Sequence, residues 1–426
     1  MNKKTFIKSL FLILLALLCL NLTSCDEEEN NSNRVVIWTS CREFAQYQEL
    51  FNNTHVDCKV ILVYKENPAL SLPPAKDELS PDIIVGSWLN SEDIISNFRS
   101  LDYLFDRKNI SSSRFYSTLL NAGKKRNTQY LLPVSFNIPC VIFSEDNSNL
   151  ITDNYTLTLD QIKNISQAYN TTKKSGAFTR MGFTPICNDS FLYLVAKLFE
   201  TNFNVDDGKI IYNKAKLKES IDYLKNWTVT ANKSVQAELD FSFKYLQSPI
   251  YRQITSGKTL FAYTTSSELF KIAQEQDINL DYRWISQNGK IPVEDDMLML
   301  GIYKKTENLA NASEFITWFF HTETQDSILK RKSSLSLDTD SFGIAGGYSS
   351  IPEVTEKILP TYYTHAISNL PPAGLLSFES KYNARWATYE TKVIQPYIRD
   401  TLTSENNEPP QDFSEYEKEW QKKVFD

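Results

Sequence analysis

The chain has 426 residues, 42% of them hydrophobic and 13% aromatic, with a formal net charge of −7. That length exceeds one ordinary core, so two lobes are expected, and the apolar content excludes a disordered chain. An acidic chain with scattered Lys and Arg lacks the concentrated basic face of a nucleic-acid binder.

Lys3, Lys4 and Lys8 lead into an apolar run from Leu10 to Leu20. A helix of that length reaches about 16 Å, short of a hydrocarbon core of about 30 Å, so the segment reads as a cleaved secretory signal. The tetrad Leu22-Thr23-Ser24-Cys25 resembles the bacterial lipobox. That resemblance implies cleavage before Cys25 and a lipid on its thiol; the alternative is a simple signal peptide that ends near a cysteine. Residues 26–33, Asp26-Glu27-Glu28-Glu29-Asn30-Asn31-Ser32-Asn33, carry no apolar side chain and read as a tether. Residues 1–24 are thus expected to be the signal and 25–33 the acidic tether. Losing three signal lysines takes the net charge from −7 to −10.

Val35-Val36-Ile37-Trp38 is a buried strand by composition, and Ser40 to Glu43 has capping-box spacing ahead of Phe44, Tyr47, Leu50 and Phe51 at helical intervals. Strands follow at Val60–Tyr64 and Asp82–Val85, the latter closed by Gly86, with a helix from near Ser91. This alternation is the signature of a parallel sheet covered by helices. Residues 131–143 form two extended segments around a turn. Thr158 and Gln161 open a capped helix, and Asn188-Asp189 caps an apolar helix through Phe191, Val195 and Phe199. Helices are expected near 214–232 and 248–256, strands at 257–263, 282–285 and 297–303, and a helix at 312–320. The last hundred residues read as helical around a loop from Phe342 to Pro352.

Cys41, Cys58, Cys140 and Cys187 read as buried free thiols. Cys41 and Cys58 fall at opposite ends of one helix, about 20 Å apart, too far for a bridge. No pair has metal-site spacing, and His55, His321 and His365 stand alone, so no metal and no cofactor are expected.

The order of these elements resembles the extracellular solute-binding proteins of ABC importers, in the branch of maltose-binding protein. The residues that carry it are Val35–Trp38, Pro81–Ser87, Leu132–Ser135 leading into Val141–Phe143, Gly257–Phe261, and Phe315–Phe319 near Gln325. Phe143-Ser144 departs from the Tyr-Asn or Tyr-Asp usual after the crossover strand. The resemblance implies an α/β, two-lobed periplasmic-binding-protein fold of type II. Each lobe is a mixed, mainly parallel sheet flanked by helices, joined by crossing hinge strands. Residues 34–142 plus about 281–330 would form the N-terminal lobe, and 143–280 plus about 331–426 the C-terminal lobe. The implied function is capture of a small polar solute, foremost a sugar or oligosaccharide, in the cleft. The implied partners are an importer's membrane permease and a bacterial membrane reached through Cys25. A monomer is expected.

Candidate ligand contacts come from loops at strand ends: Trp38, Ser40 and Arg42 after the first strand, Trp88 after the third, and Phe136 and Asn137 in the crossover turn. The second lobe offers Asn188 and Asp189, Tyr263 and Thr264, and Trp284. Each also has an ordinary explanation: Trp38, Tyr263 and Trp284 as core, Ser40 and Asn188 as helix caps, Arg42 as a solvated charge, Asp189 as a partner of the helix dipole. No catalytic residues are expected. A surface glycosidase or other hydrolase is the rival reading, prompted by Asp295-Asp296, but neighbours on an extended segment point to opposite faces, and Gly-x-Ser-x-Gly, His-Glu-x-x-His and P-loop patterns are absent. An adhesin or structural lipoprotein on the same fold is a third.

Overall fold

The computed structural model describes residues 33–106, 110–151, 153, 155–206, 209–276, 279–337, 341–366, 369–378, 382–404 and 409–425. The signal, Cys25 and nearly all of the tether lie outside the described residues, as do residues 405–408.

In chain order the principal elements are β1 (Arg34–Thr39), α1 (Phe44–Thr54), β2 (Lys59–Tyr64), β3 (Ile83–Gly86), β4 (Leu132–Phe136), β5 (Pro139–Ser144), β6 (Thr156–Leu157) and α2 (Leu159–Tyr169). Then come α3 (Asp189–Leu198), α4 (Lys214–Asn232), α5 (Val235–Tyr245), β7 (Ala262–Thr265), α6 (Ser266–Gln276), β8 (Leu280–Ile285) and β9 (Leu298–Ile302). The chain ends with α7 (Leu309–Phe319), α8 (Thr322–Ser334), β10 (Tyr348–Ser349), α9 (Gln395–Thr403) and α10 (Phe413–Phe425).

Two main sheets organise the chain, a six-stranded one in the order β10-β4-β9-β3-β1-β2 and a four-stranded one in the order β7-β5-β8-β6. Both are mixed. Within these two sheets parallel pairing is confined to β1–β2, β1–β3 and β8–β6, less than the mainly parallel sheets expected, because the remaining strands enter antiparallel. β4 and β5 are consecutive yet sit in different sheets, so the turn at Asn137-Ile138 is a crossing. The segment from Pro292 to Met297, between β8 and β9, crosses back.

The four-stranded sheet is covered on both faces. Cys140 and Ile142 of β5 and Tyr282 and Trp284 of β8 face the core that also holds β1, β3, β4, β9 and α7. Their alternate neighbours Val141, Phe143 and Ile285 face a second core built on α3, α4 and α9. Strand β8, expected with the first lobe, therefore belongs to the second sheet. Residues 342–363, expected with the second lobe, pack into the first core through Phe342, Tyr348 and Tyr363. Sequence order could not assign them, since either sheet has room for a short antiparallel strand.

Local signals held where they were self-contained. Thr158 and Gln161 exchange the two bonds of a capping box at α2, and Asn188 Oδ1 accepts from Phe191 N–H at 2.9 Å to cap α3. The Ser40–Glu43 box does not form. The helix starts at Phe44, and the Glu43 carboxylate instead turns inward to Lys332 at 3.1 Å, with both side chains buried. Strand β7 starts at Ala262, not at Gly257. Gly257 takes a φ of +65°, and Leu260 and Phe261 donate to the Gly182 carbonyl instead of joining the β5 ladder. The four described cysteines are unbridged; Cys58 and Cys140 are buried as expected, but Cys41 and Cys187 are partly exposed.

Candidate functional site

A pocket opens where three features meet: one face of α3 from its N-cap to its last turn, the carboxyl end of β7 and the crossing segment. Asn188, Tyr193 and Lys197 line it from α3, Tyr263 and Thr264 from β7, Glu268 from α6, and Glu294 and Glu390 complete it. A strand end facing a helix N-terminus is the usual place for a polar ligand in open α/β sheets.

Its electrostatics centre on one ion pair. Lys197 Nζ lies 2.6 Å from Asp295 Oδ1 and also donates to the Val293 carbonyl at 3.3 Å. Tyr193 donates its hydroxyl proton to Asp295 Oδ2 at 2.5 Å, and the Trp386 indole N–H donates to the Tyr193 oxygen at 3.2 Å. This network pins the crossing segment to α3. Around it stand more carboxylates than cations. Burial pushes the Glu294 carboxyl up to about 8, with Asp296 and Asp295 adding repulsion and Lys197 opposing them. Burial likewise pushes Glu390 up to about 8, reinforced by Asp295 and Glu294. Asp296 is raised too, chiefly because protein surrounds it, although solvent reaches its side chain, which places it in a crevice.

The crossing is held from the first lobe as well. Asn137 accepts at its carbonyl from Glu294 N–H at 2.9 Å, donates from Nδ2 to the Gly346 carbonyl at 3.0 Å and accepts at Oδ1 from Ser266 at 2.7 Å. A Cβ on Gly347 would meet the Phe136 carbonyl oxygen at 2.7 Å, so that loop lies flush against the crossing. Glu43 accepts from Ala345 N–H and from the Ser341 and Tyr47 hydroxyls, and Lys332 donates to the Gly343 carbonyl at 2.7 Å. The buried Glu43–Lys332 pair thus clamps residues 341–347 in place. Ser87 donates to the Asp296 carbonyl at 2.6 Å, bringing the end of β3 to the same segment.

Of the residues proposed from sequence, Asn188, Tyr263 and Thr264 come together in the pocket. Trp88 has a φ of 61°, uncommon for a bulky residue, and packs into the second core at 9% exposure, so it bridges the lobes. Ser40 is partly exposed and Arg42 exposed after β1, and Arg42 has no ion pair among the described residues. Four candidates are placed elsewhere. Trp38 is fully buried, its indole N–H bound to the Leu79 carbonyl at 3.0 Å. Phe136 packs edge-on to Tyr116 within the first core. Trp284 is fully buried against Tyr282 and Tyr348. Asp189 turns to Arg399 at 2.6 Å, away from the pocket. Asn137 spends its amide on the crossing itself. Large rings ending buried strands serve the core because burying such a side chain is worth roughly 1.5–3 kcal/mol.

Sequence reasoning missed Tyr193, Lys197, Glu268, Glu294 and Glu390. A signal existed for Lys197, a lone cation inside the apolar run Phe191–Phe199. Asp295-Asp296 was noticed, but the pair lies in a turn and not on the extended segment expected, with Asp295 buried and Asp296 exposed.

No protein-family model matches the sequence, and no curated protein matches it. The fold matches solved structures over nearly all of the described chain, and it is the two-lobed fold of the periplasmic binding proteins. The sugar-binding protein MalE from Xanthomonas citri aligns over 92% of this chain and 96% of its own, at TM-score 0.65 and 12% identity. CpMnBP1 with mannotriose bound aligns over 92% and 99%, at 0.58 and 16%. UgpB from Mycobacterium tuberculosis in complex with glycerophosphocholine aligns over 92% and 98%, at 0.59 and 12%.

Proposed function

We propose that the chain is an extracytoplasmic solute-binding lipoprotein that captures a small polar solute between its lobes and hands it to an ABC importer. The observation that carries this is the pocket at the crossing segment, where Asn188, Tyr263, Glu294 and Glu390 converge. In the neighbouring fold, saccharides such as mannotriose are bound, and a saccharide is the leading ligand here. Closure is a rotation about the crossings at Asn137 and Pro292–Met297, with Trp88 and the Ser40–Arg42 loop as the first-lobe wall. No described helix is long and apolar enough to cross a membrane, and attachment is assigned to a lipid on Cys25. The protein works as a monomer beside its permease.

Calorimetric titration against saccharides, amino acids, peptides and polyamines tests the capture reading: saturable heat with one class supports it, and silence across all classes sinks it. Compaction in solution scattering on adding that solute separates capture from an adhesin role, which requires no closure.

A further inference from the structure

We infer that the captured solute carries a positively charged nitrogen, an amine or quaternary ammonium, received by Glu268, Glu294 and Glu390 together with the Tyr263 hydroxyl. The inference rests on the capture reading and specifies its ligand class. Those three carboxylates line one pocket whose single cation is Lys197, and Lys197 is already committed to Asp295 at 2.6 Å. Among the described residues, neither the Glu268 nor the Glu294 carboxylate makes a side-chain hydrogen bond. Glu390 accepts one bond, from Gln395 at 2.8 Å. The pocket therefore gathers three carboxyl groups around one cation that is already paired, and burial keeps two of them protonated at neutral pH while it is empty.

A second observation is independent of that charge. Tyr263 is 7% exposed and lines the same pocket, yet its hydroxyl has no hydrogen-bond partner among the described residues. That hydroxyl opens onto the pocket and is free to bond to an atom supplied by a ligand. A phenol oxygen accepts from an ammonium N–H, and its ring face attracts any cation, including a quaternary one that cannot donate. A neutral saccharide could bond to the same oxygens but would give the carboxyl groups no counter-charge on which to ionise.

Protons in the empty pocket follow the same logic. Glu294 and Glu390 are raised by burial first. The groups that face them are Lys197 and Tyr193 from α3, Asp295 and Asp296 from the crossing, Tyr263 and Glu268 near β7, Tyr382 and Cys140. A bound cation favours the ionised carboxylates, so cation binding releases protons at neutral pH and tightens as pH rises toward 8.

The test is calorimetric titration of the full mature chain in detergent with choline, its uncharged isostere 3,3-dimethylbutanol, spermidine and a panel of neutral saccharides, repeated in buffers of different ionisation enthalpy. The expected result is that a cationic probe binds at least about tenfold tighter than the neutral solutes and releases protons. Glu294→Gln and the exposed Glu268→Gln should each weaken the cation by about ten- to hundredfold, the range of a charged hydrogen bond, and Glu268→Gln should do so with an unchanged melting temperature. Neutral saccharides binding as tightly as the cations, or neither choline nor spermidine binding better than the uncharged isostere, overturns the inference and leaves capture standing. Silence of cations and neutral solutes alike overturns the capture reading and the inference with it.

Discussion

Replacing Lys197 with Met removes the one cation from the crossing while keeping its aliphatic bulk against the pocket wall. Asp295, 6% exposed at its side chain, then retains only the Tyr193 hydroxyl, with Glu294, Asp296 and Glu390 still nearby. Breaking a fully buried pair costs about 3–5 kcal/mol. The Lys197 side chain is 16% exposed, so screening by solvent trims this to about 2–4 kcal/mol. In urea, with a slope at or above about 3 kcal/mol/M for a chain of this size, the midpoint falls by up to about 1 M. Midpoints followed by tryptophan fluorescence are the suitable measure, since two lobes need not unfold in one step. Asp295→Asn on the Lys197→Met background should recover part of the loss, with a coupling of about 1–3 kcal/mol, because it removes the stranded charge and keeps an acceptor for Tyr193. A single variant within about 0.5 kcal/mol of the parent, or strict additivity in the double variant, would refute the pinning role.

Further outcomes follow from other groups. Burial raises Glu238 to about 7 from 4.5, against the bonds it accepts from Asn232 at 2.9 Å and Ile186 N–H at 3.3 Å. The folded state holds that proton more tightly than the unfolded chain, so stability falls as pH climbs from about 4.5 through 7, by at most roughly 3 kcal/mol from this residue. Glu238→Gln should flatten that part of the melting-temperature profile; an unchanged slope between pH 5 and about 8 would count against it. Gly347→Ala puts a methyl 2.7 Å from the Phe136 carbonyl and should lower stability by about 1–3 kcal/mol and weaken solute binding, read by melting and calorimetry. Cys25→Ala should abolish incorporation of labelled fatty acid and release the chain from the membrane fraction; retained label would exclude the anchor.

What the sequence made legible was local. β1, β2 and β3 announced themselves through Val- and Ile-rich runs, and the caps of α2 and α3 through residues three apart. What stayed hidden depended on distant partners. Glu43 had the spacing of a capping residue, but a buried Lys332 nearly three hundred residues away outcompeted the helix end for its carboxylate. Tyr348-Ser349 is a two-residue strand, too short for any periodicity, and is defined only by β4 beside it. Trp38, Phe136 and Trp284 sit at strand ends as proposed, yet the faces they occupy are covered by segments from elsewhere in the chain. The acidic pocket is the clearest case. Glu268, Glu294 and Glu390 lie on three separate elements, and only the fold brings them to Tyr263 and Lys197.

The central claim is capture of a solute in the pocket at the crossing. A crystal structure of the mature chain with the tightest solute from the calorimetric panel tests it most directly. The account predicts solute density between the lobes, in contact with Tyr263 and Glu294 and enclosed from the first lobe by the Ser40–Arg42 loop. Density at any other surface, with this pocket holding only solvent, would contradict it.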